Sequence, residues 1–414
     1  MFLRKIELED VRGIRHLELP LTREDGKVRK WTLILGQNGT DKSTILRAIG
    51  LVLAGRDALA DLIGEPDSWI RDGARKCSIR AELTTQRGER RAIALRIKRG
   101  QGKSEVLDAN RDSLMDLERA LSHSARNYLM IGYGVSRRLS DERFGIPKSE
   151  VFHDPRAQSV ATLFSAEATL VSFESWAMDL EYRRAEKGLA LVRGAFKEFL
   201  PDVDFEGIDR ERRQLLFRTP DGVLPLRLLS DGYQNVIAWC GDLVHRITSV
   251  FEDYERPLEA RGLLVLDEID LHLHPVWQRN LIGFLTKKLP NFQMIATTHS
   301  PFTAQQADEG ELFGLQRANS RGPRLEAFSG VPKKLLLHQL LMTPIFSSLT
   351  MSSREYERRR EEYRSLKAKK RKSAAEKARF EELETELLAD HPDWSMTPPI
   401  KREIEAVLEK VRSS

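Results

Sequence analysis

The sequence predicts an α/β protein built around a parallel core sheet, and three observations carry that expectation. Short apolar runs, WTLILG (31–36), LLVL (263–266) and FQMIATT (292–298), read as strands buried on both faces. Segments with helical spacing alternate with them: KSTILRAIGLVLAG (42–55), NVIAWCGDLVHRITSVF (235–251) and PVWQRNLIGFLTKKL (275–289). The size also fits, since 414 residues with 41% hydrophobic and 31% charged side chains can fill one large domain with appendages, or two domains.

Taken in order, FLRKIELED (2–10) alternates at period two and reads as a strand, and WTLILG, a glycine loop and a helix follow. Residues 75–100 read as a hairpin or meander turning near Arg87-Gly88, residues 103–125 as a helix, and NYLMIGYG (127–134) as a strand. The polar run 136–159 carries Pro and Gly and reads as a surface loop. Residues 159–200 are helical in pattern, too short and mixed for a long coiled-coil arm. Residues 204–230 give strands around Pro220-Asp221-Gly222, and from about Pro332 the chain is helical and highly charged.

Composition excludes several classes. No apolar run approaches the roughly 20 residues of a bilayer span, and the first residues lack a signal-peptide core. Two cysteines, Cys77 and Cys240, rule out a disulfide framework and an all-cysteine zinc site within one chain, so a reducing, cytoplasmic setting and no membrane partner are expected. The net charge of +5 is uneven: residues 354–379 hold twelve Lys/Arg against five Asp/Glu. Such a block suits DNA, RNA or an acidic partner, or else a solvated helix face.

Four stretches carry chemistry. GQNGTDKST (36–44) is a phosphate-binding loop in all but one position, Asp41, where glycine is usual. In it Gly36 and Gly39 serve crowded or left-handed backbone, and Asn38, Thr40, Asp41 and Thr44 line the loop. Lys42 would meet phosphate oxygens and Ser43 a Mg²⁺ ion. The side chain of Asp41 is expected to point outward while its N–H serves the loop. GLLVLDEID (262–270) ends a buried strand in Asp267, a second Mg²⁺ ligand, and Glu268, placed to orient and deprotonate water. LLSDGYQN (228–235) sets Ser230 and Gly232 at a helix start. MIATTHSP (294–301) ends a strand in His299, suited to hydrogen-bonding a γ-phosphate. The pair His272 and His274 has metal-like spacing, which competes with a contact-loop reading.

In this order the four stretches resemble the ABC-type ATPase heads of the SMC, RecF and OLD superfamily, over roughly residues 1–315. LSDGYQ stands at their signature, DEIDLHLHP looks like their acidic strand and Leu-His-Pro loop, and EDVRGIRHLEL and IRDGA resemble two arginine-bearing stretches. The resemblance implies a P-loop head with a mixed sheet, a helical lobe at about 155–205, and a head spanning 1–330 before a charged helical extension at 331–414. It also implies ATP and Mg²⁺ as cofactors, and a homodimer or higher even oligomer in which Ser230 and Gly232 complete the partner's site. Asp41 is then a lineage variant inside a working loop.

The chain lacks the long arms and Cys-x-x-Cys hook of tethering relatives and the Gly-Gly signature of transporters. After His299 it offers Glu309 and Glu311, but no strand or later paired aspartates for a TOPRIM nuclease are legible. The tail, LLMTPIF and SSREYE with EEYRSL, resembles stand-alone ATPases of anti-phage operons, Septu and retron types among them. There the ATPase is paired with a separate HNH-type or other nuclease from a neighbouring gene. The expected function is an ATP-gated regulator of such an effector. A RecF-like DNA clamp in repair, gripping phosphates through 354–379, is the competing expectation.

Overall fold

The computed structural model describes residues 2–85, 88–121, 129–139, 151–197, 203–251, 254–318, 322–346, 354–369 and 372–389. They form two compact units, Met1–Ile345 and Phe346–Ser414. The first begins with strands β1 (Phe2–Val11), β2 (Ile14–Pro20) and β3 (Trp31–Gly36), then helices α1 (Lys42–Leu53) and α2 (Arg56–Leu62). Next come β4 (Lys76–Thr84), β5 (Arg90–Lys98), α3 (Lys103–Ala109), α4 (Arg111–Leu121), β6 (Met130–Tyr133) and β7 (Arg138–Leu139). The middle of the chain holds α5 (Pro155–Gln158), α6 (Ala161–Phe164), β8 (Thr169–Leu170) and α7 (Phe173–Phe196). It continues through β9 (Asp204–Asp209), β10 (Gln214–Thr219), β11 (Gly222–Pro225), α8 (Asp231–Val250) and β12 (Gly262–Leu266). The unit ends with α9 (Pro275–Lys288), β13 (Phe292–Thr298), α10 (Pro301–Ala304), β14 (Leu312–Ala318), β15 (Gly322–Ala327) and α11 (Leu337–Leu341).

The central sheet has the order β15-β14-β3-β13-β12-β6. All its pairs are parallel except the β14–β15 hairpin. Every residue of β12 and β13 is buried, as expected for strands covered on both faces. A four-stranded antiparallel sheet, β2-β1-β4-β5, shares one core with α1: Ile6, Leu8, Ile79 and Leu83 pack in the same cluster as Ile45, Leu46 and Ile49. The fold is therefore the mixed α/β P-loop architecture, with a helical insertion before β9 and helices after β15.

Several elements follow the sequence expectation closely. The hairpin at 75–100 is β4–β5, and Thr219 pairs with Gly222 around Pro220-Asp221. Others differ, each for a physical reason. The helix expected over 103–125 breaks at Asn110, whose side chain bonds the Arg96 amide and carbonyl and the Val106 carbonyl; residues 122–125 lie outside the described residues. The helical run 159–200 is split by β8 and restarted at Ser172, whose hydroxyl caps α7. Within the expected surface loop 136–159, Arg137 is buried, Arg138–Leu139 pairs with Thr169–Leu170, and α5 forms; residues 140–150 lie outside the described residues. After His299, where no strand is legible, β14 joins the sheet directly beside β3.

The second unit contains α12 (Arg354–Ala368) and α13 (Ala374–Ala389). Tyr363 stacks on Phe380 with ring centroids 4.9 Å apart, and Leu366 and Leu383 are buried. Arg379 forks onto Glu362 at 3.0 and 3.1 Å, Lys369 meets Glu376 at 2.6 Å, and Arg359 meets Glu355. Among the described residues no helix is long and apolar enough to cross a membrane.

Candidate nucleotide site

Strand order creates the site. β3, β13 and β12 are neighbours, so the loop after β3, His299 after β13, and Asp267-Glu268 after β12 emerge along one carboxyl edge. Open parallel sheets place ligands at that edge.

The loop is wound tightly by its own residues. Gly39 and Asp41 are both left-handed, with φ of 75° and 66°. A Cβ at Gly36 would lie 2.7 Å from the Leu315 carbonyl oxygen and 2.8 Å from Thr40 Oγ1, so that position requires glycine. Thr40 Oγ1 donates to the Gln37 carbonyl, and Asn38 and Gly39 are exposed. Lys42 is buried and its Nζ donates to the carbonyls of Gly36 and Gln37, both at 2.8 Å. No side chain caps α1 and its first turn carries no acid, which leaves backbone N–H groups at its start for an anion. Ser43 stands in that turn, half buried.

Asp41 corrects one expectation. Its side chain does not point outward; it turns inward against Gly13 in the β1–β2 turn, and Oδ1 accepts the Thr44 hydroxyl at 3.1 Å. Burial, then the nearby Arg47, hold Arg12 below its ordinary value, opposed by the charge of Asp41, and the Arg12 guanidinium lies 4.4 Å above the Trp69 ring.

On the acidic side Thr297 is the organiser. Its hydroxyl donates to Asp267 Oδ1 at 2.6 Å and accepts the Glu268 N–H at 2.7 Å. Glu268 is left-handed, φ 47°, and its Oε1 lies 3.5 Å from His299 Nε2. That ring nitrogen is buried without a hydrogen-bond partner. Burial, then the charge of Lys42, hold the imidazole below its ordinary value, so it is neutral at pH 7. Burial likewise lowers Lys42, opposed by Glu268, Asp267 and Asp270. Lys42, Asp267, Glu268 and His299 thus form one electrostatic unit, joined by Asp270, whose carboxyl burial raises.

Ser230 and Gly232 make different contacts. Ser230 is the exposed N-cap of α8 and makes no capping bond with its side chain. A Cβ on Gly232 would come 3.3 Å from the His272 carbonyl, and Tyr233 meets Trp277 edge-on at 4.4 Å. The start of α8 therefore packs on the loop 271–275. The histidine pair does not form a metal centre there, since His274 Nδ1 accepts the Val276 N–H and caps α9. Among the described residues the three side chains with ligand atoms close enough for a metal are Glu7, Glu9 and His16, where Arg80 pairs with both acids.

The donor set fits a magnesium-bound triphosphate. An uncapped helix start and Lys42, held only by carbonyls, suit phosphate oxygens. Ser43 and Asp267 carry hard oxygen atoms of the kind Mg²⁺ takes, and Nε2 of His299 is buried without a hydrogen-bond partner. Sequence reasoning missed Asp270 and Arg137, although the acid in DEID is the fourth residue of a motif already singled out.

Two family models match the chain: "AAA domain" over residues 5–149, and "AAA domain, putative AbiEii toxin, Type IV TA system" over residues 137–304. The chain is similar to the Septu protein PtuA of Bacillus mycoides, 27% identical over 77% of this chain and 41% of that protein. It is similar to the Retron Ec83 probable ATPase of Escherichia coli, 33% identical over 36% of this chain and 27% of the relative. The Retron Vc95 probable ATPase of Vibrio cholerae is 34% identical over 27% of this chain and 22% of its own length. The matched part of the chain thus spans less than half the length of each of these relatives. Among solved structures, the SMC head domain from Thermotoga maritima covers 80% of this chain and 100% of its own at 16% identity, with a TM-score of 0.43. An Smc head bound to the C-winged helix domain of ScpA covers 80% of this chain and 98% of its own at 15% identity, with a TM-score of 0.46.

Proposed function

We propose that this chain, which matches two AAA-domain models and is similar to Septu PtuA and to retron ATPases, binds and hydrolyses ATP, pairs head to head on the nucleotide, and thereby controls a partner effector in anti-phage defence. The observation that carries the reading is the meeting of Lys42, Asp267, Glu268 and His299 at the edge of three adjacent parallel strands.

When bound, magnesium–ATP supplies the anhydride to be cleaved and a divalent charge that offsets the developing negative charge. Gly36, Asn38, Gly39, Thr40 and Asp41 hold the phosphates with backbone N–H groups, and Lys42 exchanges the carbonyls of Gly36 and Gln37 for phosphate oxygens. Ser43 and Asp267 would hold the metal, and the Thr297 hydroxyl, donating to Oδ1, fixes the orientation of Asp267. Glu268 takes the proton of the attacking water at its carboxylate. His299 is neutral and free to bond the terminal phosphate, registering its departure. Ser230 and Gly232 face the nucleotide of a second copy, so a lone head lacks donors and turns over slowly.

The effector is a separate nuclease, HNH-type or other, encoded beside this chain. The DNA-clamp alternative leans on the basic segment 354–379, yet Arg359, Lys369 and Arg379 there each face a carboxylate. That pairing favours a protein-facing extension. The decisive experiment is light scattering of Glu268→Gln with and without ATP. A nucleotide-bound dimer is expected, and Lys42→Ala should bind no nucleotide. Equal monomer fractions for Glu268→Gln in both conditions would rule out the paired-head mechanism.

A further inference from the structure

Arg137 lies in a run that reads as a polar surface loop, yet its side chain is buried in the first unit. Its Nη2 donates to the carbonyls of Asp267 and Glu268 at 2.7 and 2.9 Å, and its Nε to the Gly134 carbonyl at 3.1 Å. The guanidinium stands 5.6 Å from the Trp239 ring centroid in α8. Burying a guanidinium is costly, and this one is kept where its Nη2 alone reaches two successive peptide oxygens while its Nε holds the Gly134 carbonyl. Those two peptides belong to the residues that carry the proposed metal and proton chemistry.

The backbone there needs a clamp. Glu268 is left-handed, a conformation that a β-carbon disfavours and that persists only when its surroundings over-determine it. Thr297 fixes the Glu268 N–H from one side, and Arg137 fixes its carbonyl from the other. Arg137 also lines a cleft of about 590 Å³ with Val135, Asp231, Gln234, Leu271 and His272. One side chain therefore connects the hydrolytic edge to the first turn of the helix that bears Ser230.

We propose that Arg137 is a positioning residue for hydrolysis: its Nη2, bonded to both the Asp267 and Glu268 carbonyls and anchored by Nε on Gly134, holds the Glu268 peptide in its left-handed turn and so aims the carboxylate. This rests on the ATPase reading and deepens it. Arg137 acts through the backbone of Glu268 and has no role in holding the phosphates.

The test uses the full chain with Arg137→Met, which keeps volume and removes every side-chain donor, and Arg137→Lys, which keeps charge but loses the Nε anchor on Gly134 and the planar guanidinium that sets Nη2 in place. Steady-state ATPase gives kcat and KM, a fluorescent ATP analogue gives Kd, and thermal unfolding checks the fold. Arg137→Met should lower kcat about 30-fold, with KM and Kd within about threefold, because only the aim of one catalytic group is lost. Arg137→Lys should recover part of kcat. In a Glu268→Gln background Arg137→Met should change residual turnover by less than about twofold, since the group it positions is gone. If the Met variant unfolds, Arg137→Lys decides: a kcat loss of about threefold or more at unchanged Kd supports the clamp, and full kcat overturns it. The clamp also falls if Arg137→Met keeps wild-type kcat, or if its loss persists undiminished beside Glu268→Gln. A wild-type chain that neither binds nor turns over ATP would sink the ATPase reading itself, a result separable from an active wild type indifferent to residue 137.

Discussion

Asp41 shows how an acid fits into a loop of the phosphate-binding kind at a position where glycine is usual. The position is left-handed, which explains why glycine is usual there, and aspartate is among the few residues that tolerate that backbone. Its carboxylate occupies the space that a β-carbon on Gly13 would need. The two residues are thus a matched pair across the β1–β2 turn. Gly13→Ala should therefore weaken ATP binding about tenfold by driving Asp41 and the loop apart, about 1.4 kcal/mol. Asp41→Gly should bind ATP as well as or better than the parent, and should rescue Gly13→Ala. Equal losses for Gly13→Ala in both backgrounds, read by titration of a fluorescent nucleotide, would separate the two positions. The motif residues of the site were legible because phosphate chemistry demands fixed local spacing. The inward turn of Asp41 was not, because it depends on a residue twenty-eight positions away.

Among the elements, buried strands and the helices between them could be read from apolar runs and their period, and β3, β12 and β13 stand where those runs lie. The strand β14 escaped notice since LFGLQRA mixes a glycine and charge, and its place beside β3 is set by long-range pairing. Gly314 is needed there because a side chain would collide with Ile345. Arg137 escaped for a similar reason: beside the local Gly134 carbonyl, the two carbonyls that hold it belong to Asp267 and Glu268, about 130 residues away, while its neighbours in sequence are polar. Gly134, between β6 and Arg137, makes the tightest approach of this region. A β-carbon there would run into the Thr162 carbonyl. Gly134→Ala should destabilise the first unit by about 2–3 kcal/mol and reduce kcat, since the carbonyl that receives Arg137 Nε must move. Denaturant unfolding with an unchanged midpoint would show that the backbone yields without strain.

For the molecule as a whole, charge and fold divide between the two units. The basic count of 354–379 suggested a polyanion grip, but the helices α12 and α13 turn several of those cations toward their own acids. Composition alone could not reveal that pairing: Arg359–Glu355 is one helical turn apart within α12, whereas Arg379–Glu362 and Lys369–Glu376 depend on the helical hairpin. Neutralising Lys369, Lys370, Arg371 and Lys372 together should weaken effector or polyanion binding while basal ATPase changes by less than about twofold, as expected for a charged surface patch. If the ATPase alone falls, the extension belongs to the fold of the head. Residues 370 and 371 lie outside the described residues.

The interior place of β3 has a further consequence. Leu33, Ile34 and Leu35 are flanked by β13 on one side and β14 on the other, whereas Gln37, Asn38 and Gly39 at its end are exposed. Their amide protons therefore keep two clocks: the strand trades with deuterated water only on global opening, the loop almost at once. An occupant of the cradle would register as slowed deuterium uptake at a few neighbouring amides, against a backdrop that stays still.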